Sequence, residues 1–215
     1  MSNMLSLKYA PKSLDECVLE HLDDNAQKLL VQASKAESLP NLLLFGPPGT
    51  GKTSVAKILA DPTRYAVNEF NGSASHSLNL KFIDQLCKNG NLFGQQRCIF
   101  IDEIDGADNR TQLALRAMMN ESCVPVSWLF TANDRRVLNE ALLSRLIEID
   151  CSFASRARQA AHQTAIAARC RVILDAEKIS NVTDEQIAEV VGINYPDFRK
   201  TLNALQLGFC PLKAA

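Results

Sequence analysis

Residues 46–53 read GPPGTGKT, directly after the apolar run LLLF (42–45) and directly before Val55, Ile58 and Leu59 at helical spacing. A strand, a glycine-rich turn and a helix, in that order, is the setting that the pattern G-x-x-x-x-G-K-[ST] requires. Glycines free the backbone to turn its N–H groups toward phosphate oxygens, and the helix N-terminus adds positive potential. Lys52 is then expected at the β- and γ-phosphates, and Thr53 on a magnesium ion. The bland alternative is a Gly/Pro-rich turn with no ligand, and the strand and helix flanking the turn weigh against it.

Working outward, short apolar runs recur at YAVNEF (65–70), RCIFID (97–102), VSWLFT (126–131) and LIEID (146–150), separated by helical patterns such as Leu115, Met118 and Met119. Alternating strands and helices predict a mostly parallel sheet covered on both faces, over residues 1–150. A helix is expected at 23–36, capped by Asp23 or Asp24, with Ala26, Leu29, Leu30 and Ala33 on one face. After Asp150 the pattern turns helical. An Ala-rich helix is expected at 155–171, and Thr183 and Gln186 form a capping box before Ile187, Val190 and Val191. Gly192 is expected to close that helix, and Pro196 to open a last one with Phe198, Leu202 and Leu205 on one face. Residues 151–215 thus read as a small all-helical satellite domain.

Of the 215 residues, 47% are hydrophobic and 22% charged, and the net charge is −1. A chain of that size buries roughly 70% of its unfolded surface. With no overall basic excess, any phosphate-binding surface must be a local patch. The seven cysteines (17, 87, 98, 123, 151, 170 and 210) show no C-x-x-C spacing and read as reduced thiols. The N-terminus lacks a signal-peptide core and no apolar run reaches about 18 residues, so neither secretion nor a membrane span is expected. His21, His76 and His162 stand isolated along the chain and suggest no metal or catalytic role.

CIFIDE (98–103) ends in Asp102 and Glu103. Alone, such a pair is usually a solvated turn. Beside a phosphate loop, Asp102 suits the magnesium shell and Glu103 suits a base that orients or deprotonates water, which favours hydrolysis over transfer to a small acceptor. FTAN (130–133) puts Asn133 at the end of the next strand, where sites assemble in open α/β sheets; it suits the attacking water or the γ-phosphate, against an Asx-turn as the plain alternative. Arg145, in ALLSRLIEID (141–150), has no acidic neighbour before Glu148. Arg145 and Arg199 each suit neutralisation of charge on a transferring phosphoryl group, although a surface salt bridge is the usual fate of either taken singly.

Phosphate loop, DE, strand-end Asn, Ser-Arg and then an Arg in a helical lid resemble the AAA+ ATPases. KYAPKSLDE (8–16), FNGS (70–73), TQLALRAMMNE (111–121), ALLSRL (141–146) and NYPDFRKTLN (194–203) resemble their clamp-loader branch, in its phage form, over about residues 5–207. The resemblance implies a five-stranded parallel sheet between helices, followed by an all-α lid. It places Leu7, Lys8, Tyr9 and Val18 around an adenine, and the loop residues Gly46, Pro47, Pro48, Gly49, Thr50, Gly51, Lys52, Thr53 and Ser54 around the phosphates of ATP, with Mg2+. Asp102 and Glu103 would be the Walker B pair, Asn133 sensor 1 and Arg199 sensor 2. Arg145 would be the finger that reaches the ATP of a neighbouring subunit. The family pattern has Arg where Ala10 stands and Cys where Leu146 stands, and it continues into a helical collar beyond the lid.

The partners so implied are a sliding clamp, primer-template DNA and other loader subunits, both copies of this chain and a small subunit, in the cytoplasm of a bacterial host and away from membranes. Lys81, Gln112 and Arg116 are the candidates on the DNA side. Lys81 is as well read as a solvated lysine, and Gln112 and Arg116, sharing a helix face, as links from DNA to the ATP site. Leu92 and Phe93 suit a plug for the clamp, or more plainly a loop anchor. Two other readings stand beside this one: another AAA+ motor, such as a helicase loader or branch-migration ATPase, and a nucleotide-binding assembly protein without turnover.

Overall fold

Five apolar runs become five strands: β1 (Leu42–Phe45), β2 (Ala66–Asn71), β3 (Arg97–Asp102), β4 (Val126–Ala132) and β5 (Ile147–Asp150). In the computed structural model, which describes residues 4–73, 78–89 and 94–208, they pair in the order β2-β3-β4-β1-β5 and every pairing is parallel. Parallel strands require crossovers, and the helices α2 (Asp24–Lys35), α3 (Lys52–Leu59), α4 (Leu80–Lys88), α5 (Asn109–Glu121) and α6 (Glu140–Leu143) lie between or before them. Leu43, Ile99, Ile101, Trp128 and Phe130 form one buried cluster with Ile83 of α4 and Leu115 of α5. The alternate set, Leu42, Leu44, Phe100 and Leu129, is equally buried, so both faces of the sheet are covered. The chain reverses its strand order beside β1, and the loop that leaves β1 is therefore at the topological switch point of the sheet.

The C-terminal half of the chain supplies α7 (Arg156–Ala176), α8 (Asp184–Asn194) and α9 (Phe198–Gln206). The capping box of α8 forms as its sequence implies, with Thr183 and Gln186 satisfying one another's backbone N–H groups. Gly192 does not end α8, which runs on to Asn194. The stop comes from Pro196, whose ring disfavours a helical residue before it, and Tyr195 accordingly sits at φ −54°, ψ 135°. Pro196 does not open α9 either: Asp197 caps it, accepting the Lys200 N–H at 3.0 Å.

Packing divides the chain into two units: Asp24–Pro47 with Lys52–Cys151, and Met1–Asp23 with Pro48–Gly51 and Ser152–Ala215. The N-terminal segment thus groups with the helices after Ser152 rather than with the sheet. The cause is α1 (Leu5–Lys8): Leu5 is buried among Ile166, Ile173, Leu202 and Leu205, and its N–H donates to the Gln206 side chain at 2.9 Å. Lys8 and Tyr9 both donate to Glu177, just past the end of α7.

The two described histidines, isolated in sequence, are neighbours in space. His21 and His162 are buried with ring centroids 4.3 Å apart. His162 Nε2 faces the Val18 carbonyl at 3.2 Å and Nδ1 faces the Tyr195 hydroxyl at 3.0 Å. A carbonyl can only accept, so Nε2 carries the proton and Nδ1 accepts from Tyr195. His76, Leu92, Phe93 and Cys210 lie outside the described residues. Cys17, Cys87, Cys98, Cys123, Cys151 and Cys170 are free thiols. No described helix is long and apolar enough to cross a membrane.

Burial holds the His162 imidazole below its ordinary value of 6.5. The unfolded chain therefore takes up a proton there before the folded one does, and the contribution is complete above about pH 6.5 and lost as pH falls below it. Replacing His162 by Gln keeps a donor and an acceptor without the titration. Unfolding free energies from denaturant titrations between pH 7.5 and 5 are expected to fall less steeply in His162→Gln, by up to about 1.4 kcal/mol per pH unit.

Candidate active site

At the C-terminal edge of the sheet, Ile101 pairs with Phe130 and so brings Asp102 beside Thr131. The Thr131 hydroxyl, 1% exposed, donates to Asp102 Oδ1 and accepts the Glu103 N–H at 2.9 Å. Glu103 takes a left-handed conformation, φ 54° and ψ 49°, and turns the chain sharply out of the sheet. For a residue with a side chain that geometry costs about 1–2 kcal/mol, which the hydrogen bond to Thr131 and the close packing around the turn offset. The packing explains FNGS: a Cβ on Gly72 would stand 2.5 Å from the Glu103 carbonyl oxygen and 2.8 Å from Ile104 Cα, so only hydrogen fits. Thr131 was not singled out among the candidate residues, although FTAN contains it; its role comes from strand register.

Asp102 also accepts from the Thr53 hydroxyl, at 2.9 Å to Oδ1 and 3.2 Å to Oδ2. Thr53 and Asp102, 49 residues apart in sequence, are thus in direct contact. Lys52 is 7% exposed, and its ammonium donates to the carbonyls of Gly46 at 2.8 Å and Pro47 at 2.7 Å. Burial lowers its pKa, and the nearby carboxylates of Asp105, Asp102 and Glu103 reverse that only in part. A desolvated cation at the mouth of a backbone loop gains from an anion more than a solvated one does.

These residues fit a magnesium ion. Mg2+ is held by one or two protein oxygens and takes the rest of its shell from phosphates and water. A hydroxyl and one carboxylate in contact form such a set, and among the described residues no cluster of three His, Cys, Asp or Glu offers a protein-only cage.

Within the helical unit, Gly49 has φ +84° and a Cβ there would lie 3.1 Å from Asp197 Cα. The loop's central segment is therefore threaded against the cap of α9. Arg199 is exposed in the first turn of that helix. A cation there opposes the helix dipole, and an anion would relieve it. Thr50 is buried, Gly51 exposed and Ser54 half-buried. Leu7 and Lys8 are exposed, and Tyr9 and Val18 half-buried. Lys8 is bound to Glu177, which raises its pKa.

Asn133 is exposed just past β4, and its N–H donates to Asp105 Oδ2 at 3.0 Å, with the Asp134 N–H on the same oxygen at 3.3 Å. Asp105, another residue missed in sequence, thereby ties the end of β4 to the turn after Glu103. Arg145 is exposed; its Nε donates to Asn120 Oδ1 at 3.0 Å. Glu148, its nearest acid in sequence, is bound by Arg135 instead, through Nε to Oε2 and through Nη2 to Oε1 at 3.0 Å.

Of the three residues expected toward DNA, Lys81 is exposed in the first turn of α4. Gln112 is 2% exposed, and its amide is spent on the chain's own backbone: it donates to Ala107 O at 3.0 Å and accepts the Asn139 N–H at 2.7 Å. A buried amide bonded to the chain's own backbone suits a link between α5 and the segment ahead of α6 better than a direct contact with a phosphate. Arg116 is half-buried, with its Nε out of water and without a hydrogen-bond acceptor among the described residues.

The model of the ATPase family associated with various cellular activities (AAA) matches residues 42–175. The sliding-clamp-loader large subunit of Escherichia phage RB69 is 31% identical over 209 residues, covering 94% of this chain and 63% of the relative. That of Enterobacteria phage T4 is 30% identical, covering 94% and 64%. Replication factor C small subunit 2 of Pyrobaculum aerophilum is 29% identical, covering 96% and 64%. The chain thus spans just under two thirds of the length of these relatives. In structure, the Holliday junction branch migration motor of Thermotoga maritima, RuvB, aligns with a TM-score of 0.71 and 21% identity, over 92% of this chain and 64% of that one, a likeness of fold.

The bridge at Thr131 makes a direct prediction. Thr131→Val keeps the volume but leaves a buried N–H and a carboxylate oxygen without their partner, and is expected to cost about 1–3 kcal/mol in a urea titration. Thr131→Ser should recover most of it. A Val variant as stable as the wild type would remove the bridge from the account.

Proposed function

Because the chain belongs to the AAA family of ATPases, we propose that it is an ATP-hydrolysing subunit of a sliding-clamp loader. The observation that carries this reading is the contact of the Thr53 hydroxyl with Asp102, next to the desolvated Lys52 ammonium. The sequence likeness to clamp-loader and replication factor C subunits supports the choice of machine.

In this reading the backbone of Gly46–Gly51 cradles the phosphates of ATP, and Lys52 exchanges the carbonyls of Gly46 and Pro47 for β- and γ-phosphate oxygens. Thr53 and Asp102 hold Mg2+, which screens the phosphate charge when bound. Glu103 takes a proton from a water that Asn133 helps to orient. The oxygen of that water bonds to the γ-phosphorus as the bond to the β-phosphate oxygen breaks, and ADP leaves with the electron pair. Leu7, Lys8, Tyr9 and Val18 border the adenine, and Arg199 meets the γ-phosphate from the lid. Thr131 and Asp105 act through others: Thr131 sets Asp102 and Glu103, and Asp105 sets the backbone of Asn133.

Arg145 serves the ATP of a neighbouring subunit. Its exposure supports this, as does its tether to a neutral amide rather than to a carboxylate, since a guanidinium on an amide is cheaply released to a phosphate. ATP binding assembles subunits that open the clamp on primer-template DNA, and DNA-stimulated hydrolysis releases both. Gln112, in hydrogen-bond contact with the segment leading to α6 and Arg145, and Arg116 on the same helix, couple DNA to hydrolysis; Lys81 contacts the DNA backbone.

Arg145→Ala is expected to bind ATP normally and to lose about a thousandfold in DNA-stimulated hydrolysis. Mixed with Lys52→Ala, which keeps its finger but not its own site, it should regain part of the activity. Full turnover by Arg145→Ala alone would remove the finger from this account. ATP binding without any DNA-stimulated phosphate release by the wild type, assembled with clamp and primed DNA, would favour an assembly protein without turnover.

A further inference from the structure

Two acids flank the helix turn that presents Arg145: Glu140 in the first turn of α6, and Glu148 on the edge strand β5, three residues after Arg145. Three residues of chain span at most about 10 Å, within the combined reach of an arginine and a glutamate side chain. An exposed guanidinium so close to a carboxylate ordinarily pairs with it, and that pairing would compete with a phosphate for the same donors. Arg145 does not make it. Its Nε rests on Asn120 Oδ1 at 3.0 Å and its Nη1 faces Ser144 Oγ at 3.4 Å, both neutral acceptors. Glu148 is engaged on both oxygens by Arg135, in the fork geometry that suits guanidinium to carboxylate, and the third nitrogen of Arg135 faces Glu140 Oε1 at 3.4 Å. The pair is half-buried, with side chains 35% and 28% exposed, so water screens it less than it would a fully exposed pair.

We propose that Arg135 is a positioning residue for Arg145: by occupying the acids on either side of it, above all Glu148, it keeps the Arg145 guanidinium on neutral acceptors from which an anionic phosphate of a neighbouring subunit can take it. This rests on the reading of Arg145 as a finger acting in trans. The chemistry is competitive. Without Arg135, Glu148 carries an unpaired negative charge within reach of Arg145, and drawing the finger off a carboxylate costs a charge-assisted bidentate contact rather than a single hydrogen bond to an amide.

The test separates this role from a structural one. Arg135→Gln, in the full chain assembled with its companion subunits, clamp and primed DNA, is expected to bind ATP normally and to lose about tenfold or more in hydrolysis, a fraction of what a missing finger costs. Glu148→Gln is expected to hydrolyse at near wild-type rate, and Arg135→Gln/Glu148→Gln to recover most of the loss, because the competitor is gone. If the pair merely staples the 135–137 turn to β5, Glu148→Gln will be as damaging as Arg135→Gln and the double variant no better; that result overturns the proposal. A second measurement needs no turnover. The arginine Nε–Hε resonances of isotopically labelled chain should show Arg145 passing from an amide to a carboxylate acceptor in Arg135→Gln and returning in the double variant; an unmoved Arg145 resonance overturns the proposal as well. Arg145→Ala, measured alongside, keeps the two readings apart. If it hydrolyses normally, the finger itself is wrong; if it is inactive while Arg135→Gln is fully active, only the positioning role fails.

Discussion

The carboxylate of Asp102 accepts from two hydroxyls on two different elements, Thr53 at the start of α3 and Thr131 near the end of β4. These contacts join the loop after β1 to the ends of two further strands, at the point where the strand order reverses. A carboxylate held this way is oriented before any metal arrives, so its geometry need not be assembled at the moment of binding. The same Thr131 hydroxyl receives the N–H of Glu103 and so fixes the left-handed turn that lifts the Glu103 side chain out of the sheet. Moving Asp102 would therefore disturb the candidate metal oxygens and the candidate base together.

Two of the cations proposed to meet phosphate rest on neutral acceptors. Lys52 is buried on backbone carbonyls, Arg145 rests on an amide and Arg199 stands exposed at the wrong end of a helix dipole. Lys52 and Arg145 thus lack the charge-assisted contact that an ion pair would give them. By contrast Arg135, which the proposed chemistry does not use directly, has the fork contact with a carboxylate.

Which parts were legible beforehand follows from how far apart the interacting residues lie. Lys52, Thr53, Asp102 and Glu103 sit in local motifs whose strand and helix context can be read within ten residues. Thr131, Asp105 and Gln112 find their partners 27 to 29 positions away, through strand register or through the approach of one helix to the segment before another. Gln112 is an instance: its spacing puts it on one helix face with Arg116, but only the fold shows its amide bonded to the Ala107 carbonyl and the Asn139 N–H. Gly192 and Pro196 show another. Glycine ends a helix only where the chain can profit from a left-handed residue, and a proline constrains the residue before it more than the helix after it.

By itself, the sequence determined the strand, glycine-rich loop and helix at 42–59, the alternation that builds a covered parallel sheet, and the three helices between 156 and 206. Those features depend on side-chain periodicity and backbone freedom, which neighbouring residues settle. Only the tertiary structure decided that Leu5 belongs with the helices and that His21 and His162 are one buried pair. It also decided that Glu148 answers Arg135, leaving Arg145 without a carboxylate of its own. Choosing between two arginines for one carboxylate depends on distances across a sheet edge of a few ångströms, and a linear pattern carries no such distance.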